Sequence, residues 1–250
     1  MITIEVAGAP VDAILAKPPS GSGPGVLMFM DAFGLRPRID QIAAEVASWG
    51  YVVLAPNVFY RDGTADELAP TGDITTPEGM YAFFQQAGPR IGHLTTELAL
   101  ADIAAYLDTL QALPGVQPGP VGVVGFCMGG RLALRAAGLA PQRIAACAGF
   151  HVSGLVTDQP DSPHLVIAGS TAEYLFAHAD NDRGLTPADS AALGDTIARA
   201  GLRGTSEIYA GSMHGYTMAD TAAWNQAAYH RAMDELRALF ARALGESEAA

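Results

Sequence analysis

Cysteine is scarce in this chain, with only Cys127 and Cys147 among 250 residues. Two are too few for a disulfide framework, so both are expected to be free thiols. Basic residues are few as well: 14 Lys plus Arg stand against 26 Asp plus Glu, a formal charge of −12. No basic stripe interrupts that surface, which repels polyphosphate and excludes nucleic acid as an expected partner. Half the residues are hydrophobic, yet no uninterrupted apolar run approaches the roughly 20 residues of a membrane-spanning helix. The opening MITIEVAGAP lacks the basic start and long apolar stretch of a secretory signal, and reads as a first strand. These absences predict a cytoplasmic protein with no membrane partner; the sequence leaves open whether it is a monomer or a small homo-oligomer.

What is present is an alternation. Apolar runs at residues 25–32, 51–56, 121–126, 143–150, 173–179 and 205–210 read as strands buried on both faces, as in a parallel sheet. Between the first two, Ile39, Ile42, Ala43, Val46 and Trp49 recur at helical spacing, and Gly50 follows as a C-terminal stop. Leu100, Ile103, Leu107 and Leu110 form a second helical stripe. Thr186-Pro187 opens a third helix, and a last one runs from about Ala219 to Leu244. The pattern predicts one doubly wound α/β domain over residues 1–250, with helices on both faces of a mostly parallel sheet. Residues 57–92, rich in Pro, Gly and Asp, break the rhythm and suggest a lid or substrate-binding connection. The tail GESEAA reads as frayed.

The chemistry concentrates in GFCMGG, residues 125–130, where the run VGVV ends and the helical RLALRAAGLA begins. This is the spacing of a nucleophile elbow, in which a strained strand-to-helix turn lifts the central side chain out of the sheet and flanking glycines let the backbone pass. A helix N-terminus favours a thiolate at Cys127, and the Met128 amide can donate to an oxyanion. The competing reading is a small buried hydrophobe. Cys147, inside the apolar run IAACAGF without turn glycines, shows what that looks like.

With GxCxGG, DAFGLRPRI near residue 31, APNVFYR after the second strand, and the order nucleophile, acid, histidine, the chain resembles the dienelactone hydrolase family nearly throughout. The resemblance implies an α/β-hydrolase fold and hydrolysis of a small-molecule ester or lactone by a cysteine nucleophile, without metal or organic cofactor. It places the acid on the loop ADNDRGLTP, where Asp182 suits the family spacing better than Asp180. It places the base at His214 in GSMHGYTMAD, after the last strand and before the final helix. Ala32 matches the residue whose amide completes the family's oxyanion hole with Met128.

Two departures touch the substrate. Asp31 stands where the family has a glutamate that contacts the resting thiol, and one methylene less withdraws the carboxylate by about 1.5 Å. Met218 stands four residues after His214, where the enzyme that names the family carries an arginine for a substrate carboxylate. A preference for neutral esters and lactones follows, unless Arg61 or Arg90 from the long connection restores the charge. His178 with Asp180 and Asp182 lacks a convincing further metal ligand. The other function class is a hydrolase-fold binding or thiol-redox protein without ester turnover.

Overall fold

The computed structural model describes residues 1–180 and 182–245. Most of the predicted tail thus lies outside the described residues. The chain forms one eight-stranded sheet in the order β1-β2-β4-β3-β5-β6-β7-β8. The six predicted strands are β3 (Gly25–Phe29), β4 (Val52–Pro56), β5 (Val121–Phe126), β6 (Ile144–Phe150), β7 (Glu173–Ala179) and β8 (Gly204–Tyr209), all parallel to their neighbours within that set. Continuous burial of β3, β4 and β5 matches their unbroken apolar sequences.

The N-terminus holds more than the one expected strand. β1 (Ile2–Val6) turns through Ala7 and Gly8, with φ of 51° and 80°, into β2 (Ala9–Ala16), which pairs antiparallel with β4. Two consecutive positive-φ residues are what a tight hairpin turn requires.

Helices cover both faces. α1 (Pro37–Ser48) and the C-terminal helix share one face, where Tyr229 donates to the Glu45 carboxylate. The 57–92 connection carries two helices of its own: α2 (Ala65–Leu68), closed by a Thr64/Glu67 capping box, and α3 (Pro77–His93). α3 packs Phe83 and Ala87 against Phe33 and Ile74 in a small hydrophobic cluster separate from the main core. α4 (Thr96–Ala112), α5 (Met128–Leu139) and α6 (Pro187–Arg199) follow, α5 directly behind the elbow.

The last helix, α7 (Gln226–Leu244), begins seven residues later than the predicted Ala219, capped by the Asn225 side chain. The preceding segment is held as a loop: Asp220 is bound to Arg36, and the Thr217 carbonyl accepts from Arg38. Among the described residues no helix is long and apolar enough to cross a membrane.

Candidate active site

The strand order reverses direction between β4-β3 and β3-β5, and the carboxyl ends of adjacent parallel strands meet there. Asp31 and Ala32 follow β3, Cys127 follows β5, Asp182 follows β7, and His214 follows β8.

At the elbow the strain sits on the cysteine itself. Cys127 has φ 52° and ψ −123°, one of three non-glycine residues with positive φ in the described chain. The glycines serve clearance: a Cβ on Gly125 would lie 2.0 Å from the Gly129 carbonyl oxygen, and one on Gly129 2.4 Å from that of Met30. Only a backbone without side chains lets α5 start so close to β3 and β5. The turn leaves Cys127 half-buried rather than enclosed.

The His214 ring spans the gap to the acid. Its Nε2 lies 3.0 Å from Cys127 Sγ, and its Nδ1 lies 2.6 Å from Asp182 Oδ2. Burial works against charge on His214, but its bonds to Asp182 and Cys127 outweigh burial and raise it to about 10. Burial likewise tends to raise Asp182, yet donation from His214, the Gly184 amide and Ser153 brings it down to about 2. An imidazolium between carboxylate and sulfur is the arrangement that stabilises a thiolate. Asp180 is engaged elsewhere: its Oδ2 accepts from the Gly211 amide at 2.7 Å, stapling the turn after β8.

Ser153 escaped the sequence analysis. Its hydroxyl donates to both Asp182 oxygens at 2.8 Å, three residues past β6, with no local motif to mark it. His151, also on that loop, packs edge-on to the His214 ring at 5.2 Å, and burial keeps it neutral. A neutral neighbour spares the imidazolium a like charge.

Asp31 does not reach the thiol. Its oxygens accept from Arg36 at 2.6 and 3.0 Å and from the Phe33 amide at 3.0 Å, and Arg36 turns its other edge to Asp220. Arg36, inside the quoted DAFGLRPRI, is a second residue that sequence reasoning passed over. The Ala32 amide has no acceptor among the described residues, whereas its neighbours Phe33 and Gly34 donate back to Asp31. The Met128 amide opens α5, where helix donors lack intrahelical partners.

A cavity of about 80 Å³ lies over the thiol, lined by Asp31, Ala32, Phe33, Met80, Phe84, Cys127, His151, His214, Gly215, Met218 and Thr221. Met218 is among the lining residues. Neither Arg61 nor Arg90 lines it. Arg61 donates two parallel hydrogen bonds to the buried Asp102 carboxylate at 2.6 and 2.8 Å, and Arg90 is a buried residue in the last turn of α3. Among the described residues no three His, Cys, Asp or Glu side chains gather as a metal site, and His178 bonds Ser206 instead.

The family model for the dienelactone hydrolase family matches residues 11–244. The chain belongs to the dienelactone hydrolase family. A relative from Synechocystis sp. is 26% identical over 245 residues, 96% of this chain and 95% of that protein. The carboxymethylenebutenolidase of Pseudomonas sp. strain P51 is 29% identical over 150 residues, covering 59% of this chain and 57% of that enzyme. Among solved structures, dienelactone hydrolase from Anabaena variabilis superposes with a TM-score of 0.69 at 18% identity, covering 97% of this chain and 96% of that one. Family membership makes this protein a hydrolase of the α/β-hydrolase fold.

Proposed function

We propose that the protein hydrolyses carboxylic esters or lactones through Cys127, His214 and Asp182, with a thioester acyl-enzyme between the two half-reactions. The observation that carries this reading is the unbroken run from Cys127 Sγ through the His214 ring to Asp182, with links of 3.0 and 2.6 Å. The Cys127 thiolate attacks the carbonyl carbon, and the Ala32 and Met128 amides receive the oxyanion. His214, as imidazolium, gives its proton to the leaving oxygen. The neutral ring then takes a proton from water as that water attacks the thioester, and the thiolate departs. Asp182 holds the ring orientation and its charged form throughout. Esters and lactones suit this design because an alkoxide or enolate leaves more readily than an amine.

The cavity also speaks to substrate class. No Lys or Arg lines it among the described residues, and the one carboxylate that does, Asp31, is tied to Arg36. Its size admits a short acyl or ring fragment, well below the roughly 300 Å³ of a drug-sized pocket. The preferred substrates are therefore small and uncharged at the end that enters this cavity.

A panel of short esters and lactones, each neutral or carboxylated, tests the reading with wild type and Cys127→Ala. Turnover by wild type alone, with an acyl mass on the Cys127 peptide after quenching, is the expected result. Turnover retained in Cys127→Ala would overturn it. Ligand binding or thiol oxidation without ester turnover would favour the binding or redox class.

A further inference from the structure

Arg90, in the last turn of α3, is 7% exposed, and among the described residues no carboxylate pairs with it. Its guanidinium carbon lies 5.1 Å from the centre of the Phe59 ring and 5.2 Å from that of Phe83. Nη1 donates to the Leu68 carbonyl at 2.9 Å and Nη2 to the Ala32 carbonyl at 3.3 Å, while Nε is buried without an acceptor. A buried cation with no direct ion pair, on which the Asp62 carboxylate acts only at longer range, and with one idle donor is an expensive way to fill space, and an apolar side chain of similar volume would fill it better. What Arg90 alone supplies is a charged fork on the peptide that follows the proposed oxyanion donor.

Arg38 makes the same construction on the other side of the site. It is 8% exposed, packed 5.0 and 4.5 Å from the ring centres of Trp224 and Tyr229, and gives two bonds to the Thr217 carbonyl, three residues past His214. Each arginine holds one backbone carbonyl of a loop that carries catalytic parts. One loop presents the Ala32 amide and the other the imidazole.

We propose that Arg90 is a positioning residue, a clamp that fixes the Ala32 peptide in its oxyanion-binding orientation and makes that orientation depend on the docking of α3. The inference rests on the function proposed above. It separates two quantities that share the thiol. Alkylation of Cys127 by iodoacetamide passes through no oxyanion, so it requires His214 but not Ala32, whereas ester turnover requires both.

The test uses Arg90→Met, Arg90→Lys and Arg38→Met in the full chain. Removing one oxyanion donor costs about 10²–10³ in kcat, so loosening one should lower kcat roughly 10- to 100-fold in Arg90→Met. KM and the alkylation rate should stay within about twofold of wild type, Tm should not fall, and Arg90→Lys should recover part of kcat. Arg38→Met should instead lower kcat and alkylation together. Wild-type kcat in Arg90→Met, or parallel losses of kcat, alkylation and Tm, would overturn the clamp; should that variant not fold, full kcat in Arg90→Lys would do so. Amide hydrogen exchange over residues 30–36 reads the clamp without any turnover: faster exchange in Arg90→Met supports it, and unchanged exchange overturns it. Absence of ester turnover in wild type would count against the proposed function, and the exchange result would still decide the clamp.

Discussion

Cys147 and Cys127 sit on adjacent strands of one sheet, β6 and β5, where Cys147 is the register partner of Val123, four residues before Cys127. Cys147 is fully buried in regular strand, and burial pushes its thiol up. Cys127 lies just past the strand end, in positive-φ backbone, half-exposed and 3.0 Å from an imidazole. The same atom type is inert packing at one point and the proposed nucleophile four residues further along the sheet, roughly 13 Å away at the rise of a strand. The difference lies in how far along the strand each residue stands, because only the carboxyl ends of the strands collect partners from distant loops.

The comparison breaks most visibly when the elbow is dismantled. Cys127→Ala and His214→Ala should each lower kcat by at least about 10⁴-fold, and the double variant should lose little more, since residues acting as one unit are not additive. Asp182→Asn should be severe, with Asp180→Asn near wild type, because Asp180 only holds the Gly211 amide. Steady-state kinetics on one short ester decides it. The opposite ranking of the aspartates would move the acid to Asp180. Cys147→Ala, by contrast, should leave kcat unchanged and cost only packing.

A direct reading of the two thiols comes next in size. Iodoacetamide near neutral pH, followed by peptide mass spectrometry, should label Cys127 at least about 100-fold faster than Cys147. Equal rates would remove the basis for assigning the nucleophile.

Sequence patterns captured features that are local and missed those that depend on distant contacts. The elbow was legible because glycine spacing, strand end and helix start lie within six residues. The parallel strands were legible because burial on both faces writes itself as an unbroken apolar run. Arg36 was not, since its partners Asp31 and Asp220 lie five and 184 residues away and only the fold brings them together. Arg61 and Arg90 looked alike as cations on a Pro- and Gly-rich connection, yet one neutralises Asp102 and the other grips carbonyls. The late start of α7 has the same origin: the segment before Gln226 is held as loop by tertiary bonds at Thr217 and Asp220.

A smaller effect sharpens how the elbow differs from the strand: the imidazole. His214 is raised above its ordinary 6.5 to about 10, so its protonated form is stabilised by folding. That contribution is complete below about pH 6.5 and lost as pH rises through about 10. Turnover should fall on the same alkaline limb, because the leaving oxygen then has no acid. Asp182→Asn removes the acceptor that raises His214, so the limb of its residual activity should move down toward 6.5. Asp182 itself works in the other direction: lowered from 3.8 to about 2, it supports the fold above pH 3.8 and ceases to do so as pH falls through about 2. A pH–rate profile of the two proteins checks the first part and acid unfolding the second. An unmoved alkaline limb in Asp182→Asn would show that another group sets it.

The smallest expected effect concerns what the cavity accepts beside the thiol. Met218 is buried, lines the cavity over Cys127, and offers a thioether where a cation would grip a substrate carboxylate. Charge-assisted hydrogen bonds contribute about 1.5–3 kcal/mol, equivalent to roughly 10- to 100-fold in affinity. Met218→Arg would have to share its guanidinium with Asp31, already bound to Arg36, so the gain should sit at the low end. The variant should raise kcat/KM for a carboxylated lactone relative to its methyl ester by about tenfold. Taking the ratio within one protein cancels any loss of folded enzyme. Wild type that already prefers the free acid would show that a cation reaches the substrate from elsewhere. Arg36 would then be the first residue to test, since it stands directly behind Asp31 at the cavity wall.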